Sequence, residues 1–135
     1  MNSVPGHFEF DHERRILLLV AEGNIQEAEI LYVKENIARA VAALNPVAGI
    51  ADLSKVEKFD VSTDVLRTAA RQPSPYAPET PSFIVAGSDH VFGMARMYEF
   101  FGAATRANLR VVHSREEALA ALGALDAKFE PVNIA

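Results

Sequence analysis

Residues 16–24 read Ile-Leu-Leu-Leu-Val-Ala-Glu-Gly-Asn, and this run decides the fold. An apolar run from Ile16 to Ala21 with no polar alternation describes a strand buried on both faces, which belongs inside a sheet. It is far too short for a membrane-spanning helix, which needs roughly 20 apolar residues. Gly23-Asn24 then ends the strand, and Asn24 with Glu27 three residues later spells a capping box for a helix to about Leu44. The inner stripe of that helix is Ile30, Val33, Ile37, Val41 and Leu44. Asn45-Pro46 closes it, because proline disfavours helical geometry in the residue before it.

Towards the N-terminus, His7–Phe10 is separated from the central run by the polar turn Asp11-His12-Glu13-Arg14, giving an opening β-hairpin. Towards the C-terminus, Val47–Leu53 is a short strand, Leu53–Ser62 a loop, and Ser62–Arg71 a helix with Val65, Leu66, Ala69 and Ala70 on one face. Gln72–Pro81 holds Pro73, Pro75, Pro78 and Pro81. Repeated prolines fix φ and remove backbone donors, so this stretch is a stiff loop, and loops of such length are often functional. Phe83–Ala86 is a buried strand, Gly87-Ser88-Asp89 a turn, Val91 to about Thr105 a helix, and Leu109–Val112 the last strand. Ser114 and Glu117 form a capping box for a final helix through Leu122.

Residues 1–123 therefore make one α/β domain, with 124–135 a C-terminal tail that Leu125 and Phe129 could tie down. The order is ββαβαβαβα: one mixed sheet, an opening hairpin and then parallel strands, with helices as right-handed crossovers on its two faces. Ligands in such sheets gather at the carboxyl ends of the parallel strands. That places Asp52, Asp60, Ser88, Asp89, His90 and His113 on one polar rim.

Composition narrows the function. The 135 residues are 50% hydrophobic, enough for a core without metals or disulfides, and there is no cysteine to supply a thiolate ligand or nucleophile. A net charge of -5 with 23% charged residues argues against disorder and against nucleic acid as a partner held by bulk charge. The histidines at 7, 12, 90 and 113 have no i, i+4 spacing and no clustered carboxylates, so no metal is predicted. The glycines form neither a Walker loop nor a dinucleotide fingerprint, so no cofactor is predicted. With no transmembrane stretch, and with an N-terminus lacking a basic start and apolar run, a cytoplasmic domain is the expectation.

Three segments carry a resemblance. Leu18-Leu19-Val20-Ala21-Glu22-Gly23-Asn24, Gly49–Asp60 with its Asp52-Leu53 pair, and Leu109–Leu119 with Glu116-Glu117-Ala118-Leu119 together resemble the SpoIIAA-like family. That family is related to the STAS domains of anti-sigma-factor antagonists and to the SEC14 lipid-binding fold. The resemblance spans residues 7 to 123 and implies a mixed sheet and a non-catalytic regulatory role with a protein partner. STAS antagonists carry Asp-Ser-Ser/Thr-Gly before the second helix, and the second hydroxyl residue is phosphorylated. Asp60-Val61-Ser62-Thr63 matches it with Ser62 at the phosphoacceptor position, while Val61 and Thr63 depart from the pattern. Asp60 or Ser62 also reads as an ordinary helix cap, worth about 1 kcal/mol.

Ser88 and His90, with a rim aspartate, suggest a hydrolase only weakly, because Gly87-Ser88-Asp89-His90-Val91 lacks the glycines of a nucleophile elbow. Capping by Ser88 or Asp89 explains the same residues. The third helix is less ordinary: Phe92, Met94, Met97, Tyr98, Phe100 and Phe101 spread apolar bulk beyond a single stripe. A second copy of the chain or another partner could cover Phe92, Met97 and Phe100, as could the chain's own proline loop or tail. By the SEC14 kinship, the same three residues with Tyr76 as a roof could instead line a pocket for a small apolar or lipid-like ligand.

Overall fold

The computed structural model describes residues 6–134. Its strands are β1 (Gly6–Asp11), β2 (Ile16–Gln26), β3 (Ala48–Asp60), β4 (Ser82–Val85), β5 (Leu109–Val112) and β6 (Glu130–Val132). Its helices are α1 (Glu27–Leu44), α2 (Thr63–Arg71), α3 (Asp89–Phe101) and α4 (Arg115–Ala121). The strands form one sheet in the order β5-β4-β3-β2-β1-β6. β2 to β5 run parallel, and β1 pairs antiparallel with both β2 and β6. The expected mixed sheet of an opening hairpin followed by crossover helices is the one observed.

The apolar run in β2 is central because it is covered on both sides: Leu17 and Leu18, neighbours pointing to opposite faces, are 1% and 0% exposed. Leu17 and Leu19 pack with Phe8 and Phe10 under α1, where Val33, Ile37, Val41 and Leu44 meet them as the helical spacing predicts. Further along the same face, α2 and α3 bring Leu66, Val91 and Ala95 against Ala21, Ile25, Val56 and Phe59. The opposite face, with Leu18, Val20, Ile50, Phe83 and Val85, is covered by Ala118 and Leu119 of α4 and by Ala124.

The structure corrects the sequence reading at several element boundaries. The expected ends of the second and third strands fall too early: β2 and β3 continue side by side to Gln26 and Asp60. Gly23, with φ +79°, marks a register irregularity inside β2 rather than its end. The first helix consequently starts at Glu27, and the capping contact is made by Glu29, whose carboxylate accepts from Gln26 N–H at 2.7 Å, in place of the Asn24–Glu27 pair. The third helix ends at Phe101, short of Thr105.

The residues expected as a tail from 124 onward belong to the sheet. β6 pairs with β1, opposing Phe8 with Val132 and Phe10 with Glu130. Buried Asp11 explains the attachment: one carboxylate oxygen accepts from Glu13 N–H and Arg14 N–H across the hairpin turn, and the other from Lys128 N–H at 2.8 Å. Arg14 also pairs with Asp126. Among the described residues, no helix is long and apolar enough to cross a membrane.

Candidate functional site

Two features stand out at the carboxyl end of the sheet and behind it: a rim of helix starts and an apolar cavity that opens to the surface. On the rim, each of three helices begins at a serine whose hydroxyl accepts a backbone N–H at 3.2 Å: Ser62 from Val65, Ser88 from Val91 and Ser114 from Glu117. These caps satisfy amides that a helix start leaves unpaired. Ser62 is exposed, and its own N–H donates to Glu27 Oε2 at 3.2 Å, linking the start of α2 to the start of α1.

The rim residues are gathered only in part. His113 stacks on Phe92 with ring centroids 4.0 Å apart, which joins the end of β5 to the first turn of α3. His90 Nε2 lies 3.4 Å from the carbonyl oxygen of Phe59, which brings the start of α3 beside Asp60. Asp60 and Asp89 are exposed. Ser88 is occupied as a cap and makes no hydrogen bond to His90, so the nucleophile and base of the hydrolase reading are not brought together.

Asp52 stands at the rim but is buried beneath it. It lies opposite Val85, the last residue of β4, although β3 itself runs on to Asp60, and it is only 3% exposed. Its carboxylate accepts from Ser54 N–H at 2.9 Å and from Arg115 Nε and Nη2 at 2.9 and 2.8 Å. Burial pushes its pKa up, but the hydrogen bonds from Ser54 and the Arg115 guanidinium outweigh that and hold it below the usual carboxylate range. This pair anchors α4 to the sheet.

The cavity lies between the sheet and α1, α2 and α3, and holds about 160 Å³. Its walls are apolar, with Leu19, Ala51, Ile84, Ile37, Leu66 and Met94 contributing from sheet and helices. The proline loop supplies Tyr76, which packs directly against Gly49 on the floor of the sheet. Burial pushes the Tyr76 hydroxyl pKa up, so it stays neutral. Tyr76, which the sequence reading set in the roof of a pocket, is among the residues that line this one. Phe92, Met97 and Phe100 do not line this cavity: Val91, Met94, Ala95 and Tyr98 present the inner face of α3 instead. Phe92 is taken by His113, Met97 packs half-buried against the core cluster shared by the sheet, α2 and α3, and Phe100 stands 78% exposed.

Sequence reasoning missed Lys34 and Arg106, the charged residues of the cavity wall. Lys34 Nζ donates to Ala69 O at 2.6 Å and to Gln72 Oε1 at 2.9 Å. Arg106 Nη1 donates to Ala70 O, to Gln72 O at 2.8 Å and to Thr105 Oγ1 at 3.1 Å. Burial, and then repulsion from Arg106, pushes the Lys34 pKa down to about 8. Lys34 had a readable signal, a charge one turn from Ile30 inside the apolar stripe of the first helix. Arg106, in a connection, had none.

No protein-family model matches the sequence, and no curated protein matches it. Solved structures do match. An anti-sigma factor antagonist from Mycobacterium paratuberculosis is 20% identical with a TM-score of 0.59, covering 87% of this chain and 92% of its own. A protein of the DUF3478 family with a SpoIIAA-like fold from Shewanella loihica is 14% identical with a TM-score of 0.55, covering 90% of this chain and 98% of its own. The Bacillus cell fate determinant SpoIIAA in its phosphorylated form is 14% identical with a TM-score of 0.50, covering 81% and 92%. At these identities the likeness is one of fold: the chain has the SpoIIAA-like fold, as the three quoted segments implied.

Proposed function

We propose that this chain is a non-catalytic, cytoplasmic regulatory module that works by docking a protein partner or a second copy on the rim where α2 and α3 begin. The observation that carries this is the state of Ser62: an exposed hydroxyl on a helix start, with its own N–H held by Glu27. A phosphate on Ser62 would be attracted by the amides and dipole at the start of α2 and repelled by Glu27. Adding it would push Glu27 off the Ser62 amide and change the charge of the rim. The fold it shares with anti-sigma factor antagonists, one of them solved in a phosphorylated form, supports this reading. The exposed Phe100, about three turns along α3 from the rim, offers a second, apolar anchor at the far end of the same helix.

The test is cross-linking of the tagged chain in its native cells, followed by size-exclusion chromatography of the purified product. A stoichiometric complex or dimer is expected for wild type, weakened by Ser62→Asp and by Phe100→Ser. A monomer with no stoichiometric partner, or a complex indifferent to both substitutions, overturns the proposal.

A second reading, binding of a small apolar ligand, is favoured by the cavity between the sheet and α1 to α3. It predicts that wild type takes up an apolar fluorescent probe and that Ala51→Leu, which fills the cavity from the sheet side, abolishes the uptake. Equal uptake by both proteins overturns it.

A further inference from the structure

The cavity wall has an uneven charge distribution. The chain as a whole carries an excess of carboxylates, 18 acidic against 13 basic residues. The cavity wall carries Lys34 and Arg106 and no carboxylate. Neither cation has an acidic partner in an ion pair among the described residues. The two come from separate elements, α1 and the connection before β5, and converge on the same residue, Gln72.

Part of this has an ordinary explanation. The free carbonyls at the end of α2 attract cations, and Lys34 Nζ and Arg106 Nη1 cap Ala69, Ala70 and Gln72. One cation would serve that purpose; a second brings repulsion, which adds to burial, the larger cause, in depressing the Lys34 pKa. Capping also leaves Arg106 Nη2 buried with no acceptor at all. An unpaired buried donor on a charged group is costly, more than for a neutral one, and calls for an acceptor.

Building on the ligand-binding reading above, we infer that the cavity takes a small apolar carboxylate, with the head group at Lys34 and Arg106 and the hydrocarbon body against the sheet. The volume sets the body size. A dry apolar cavity of about 150 Å³ accommodates benzene, so about 160 Å³ suits an aryl ring or a chain of about six to eight carbons. The carboxylate would supply the acceptor that Arg106 Nη2 lacks and neutralise the repulsion between the two cations.

Isothermal titration at pH 7 with octanoate and with its neutral counterpart 1-octanol tests this, on wild type, Lys34→Met and Ala51→Leu. Lys34→Met keeps the aliphatic stem, whereas Arg106→Ala would release the end of α2 and could unfold the protein. Thermal melts verify that each variant is folded. Octanoate is expected to bind one site at least roughly tenfold more tightly than octanol, Lys34→Met to remove that preference, and Ala51→Leu to block both. Equal binding of the two probes, unaffected by Lys34→Met, overturns the carboxylate assignment and leaves the apolar-ligand reading standing. Binding of neither probe overturns both, and octanoate binding that survives Ala51→Leu overturns the assignment to this cavity.

Discussion

The Tyr76 ring lies so close to Gly49 that a Cβ on residue 49 would overlap its hydroxyl. A stiff proline loop and a central strand thus meet at a point where only glycine fits, and the contact sets the roof of the cavity on its floor.

Gly49→Ala should therefore destabilise the protein by about 1–3 kcal/mol, the usual cost of overpacking. In Tyr76→Ala that clash is gone, so the double variant should be less destabilised than the sum of the two single variants. Urea unfolding of the four proteins measures the coupling; strict additivity would mean that the two residues do not meet.

Arg115→Met should cost about 3 kcal/mol at pH 7, because it leaves the Asp52 carboxylate buried without its cation. The pH dependence has a definite sign. The folded pKa of Asp52 is depressed, so the pair contributes stability at pH values above the unfolded carboxylate pKa near 4, and the contribution is lost as pH falls through the folded value. The gap between wild type and Arg115→Met should accordingly shrink between pH 5 and pH 2 in denaturant titrations. A constant gap would count against the ion pair as its source.

Asp11→Ala removes the acceptor shared by the hairpin turn and Lys128. Hydrogen exchange should accelerate at Lys128 and through β6 while the β2–β3 core stays protected. Unchanged protection at 128–132 would show that strand pairing alone holds this segment.

Ser62→Ala should lower stability by about 1 kcal/mol through loss of the cap on Val65 N–H, whereas Ser62→Asp should preserve most of it. Thermal unfolding compares the two. A full loss in Ser62→Asp would show that repulsion from Glu27 outweighs the cap.

The groups around the Lys34 ammonium are the Ala69 carbonyl, the Gln72 amide and the Arg106 guanidinium. With its folded pKa pushed down to about 8 from 10.5, the unfolded chain holds more protons between those values, so stability should rise as pH increases from 8 towards 10.5. Octanoate affinity should move the other way, falling as Lys34 loses its charge. Titration calorimetry at pH 7 and pH 9 reads the second trend, and a flat profile would remove Lys34 from the head-group site.

The mixed sheet and its crossovers were legible in the sequence because burial on both faces leaves a one-dimensional mark: the unbroken apolar run of β2, the helical stripe of α1, and the serine starts of α2 and α4. Local chemistry is also local in sequence, so the Ser62 and Ser114 caps could be read from a few neighbouring residues. The tertiary structure alone decided what distance along the chain conceals. Gly23 became a bulge rather than an end because β3 runs on beside β2. Residues 130–132 became a strand because β1 offered a free edge, and Asp11 holds Lys128 across 117 positions. Asp52 was buried at the rim once Arg115 was folded over it. Lys34 and Arg106, 72 positions apart, share one cavity because packing, which responds to proximity in space and not along the chain, brought both to the end of α2.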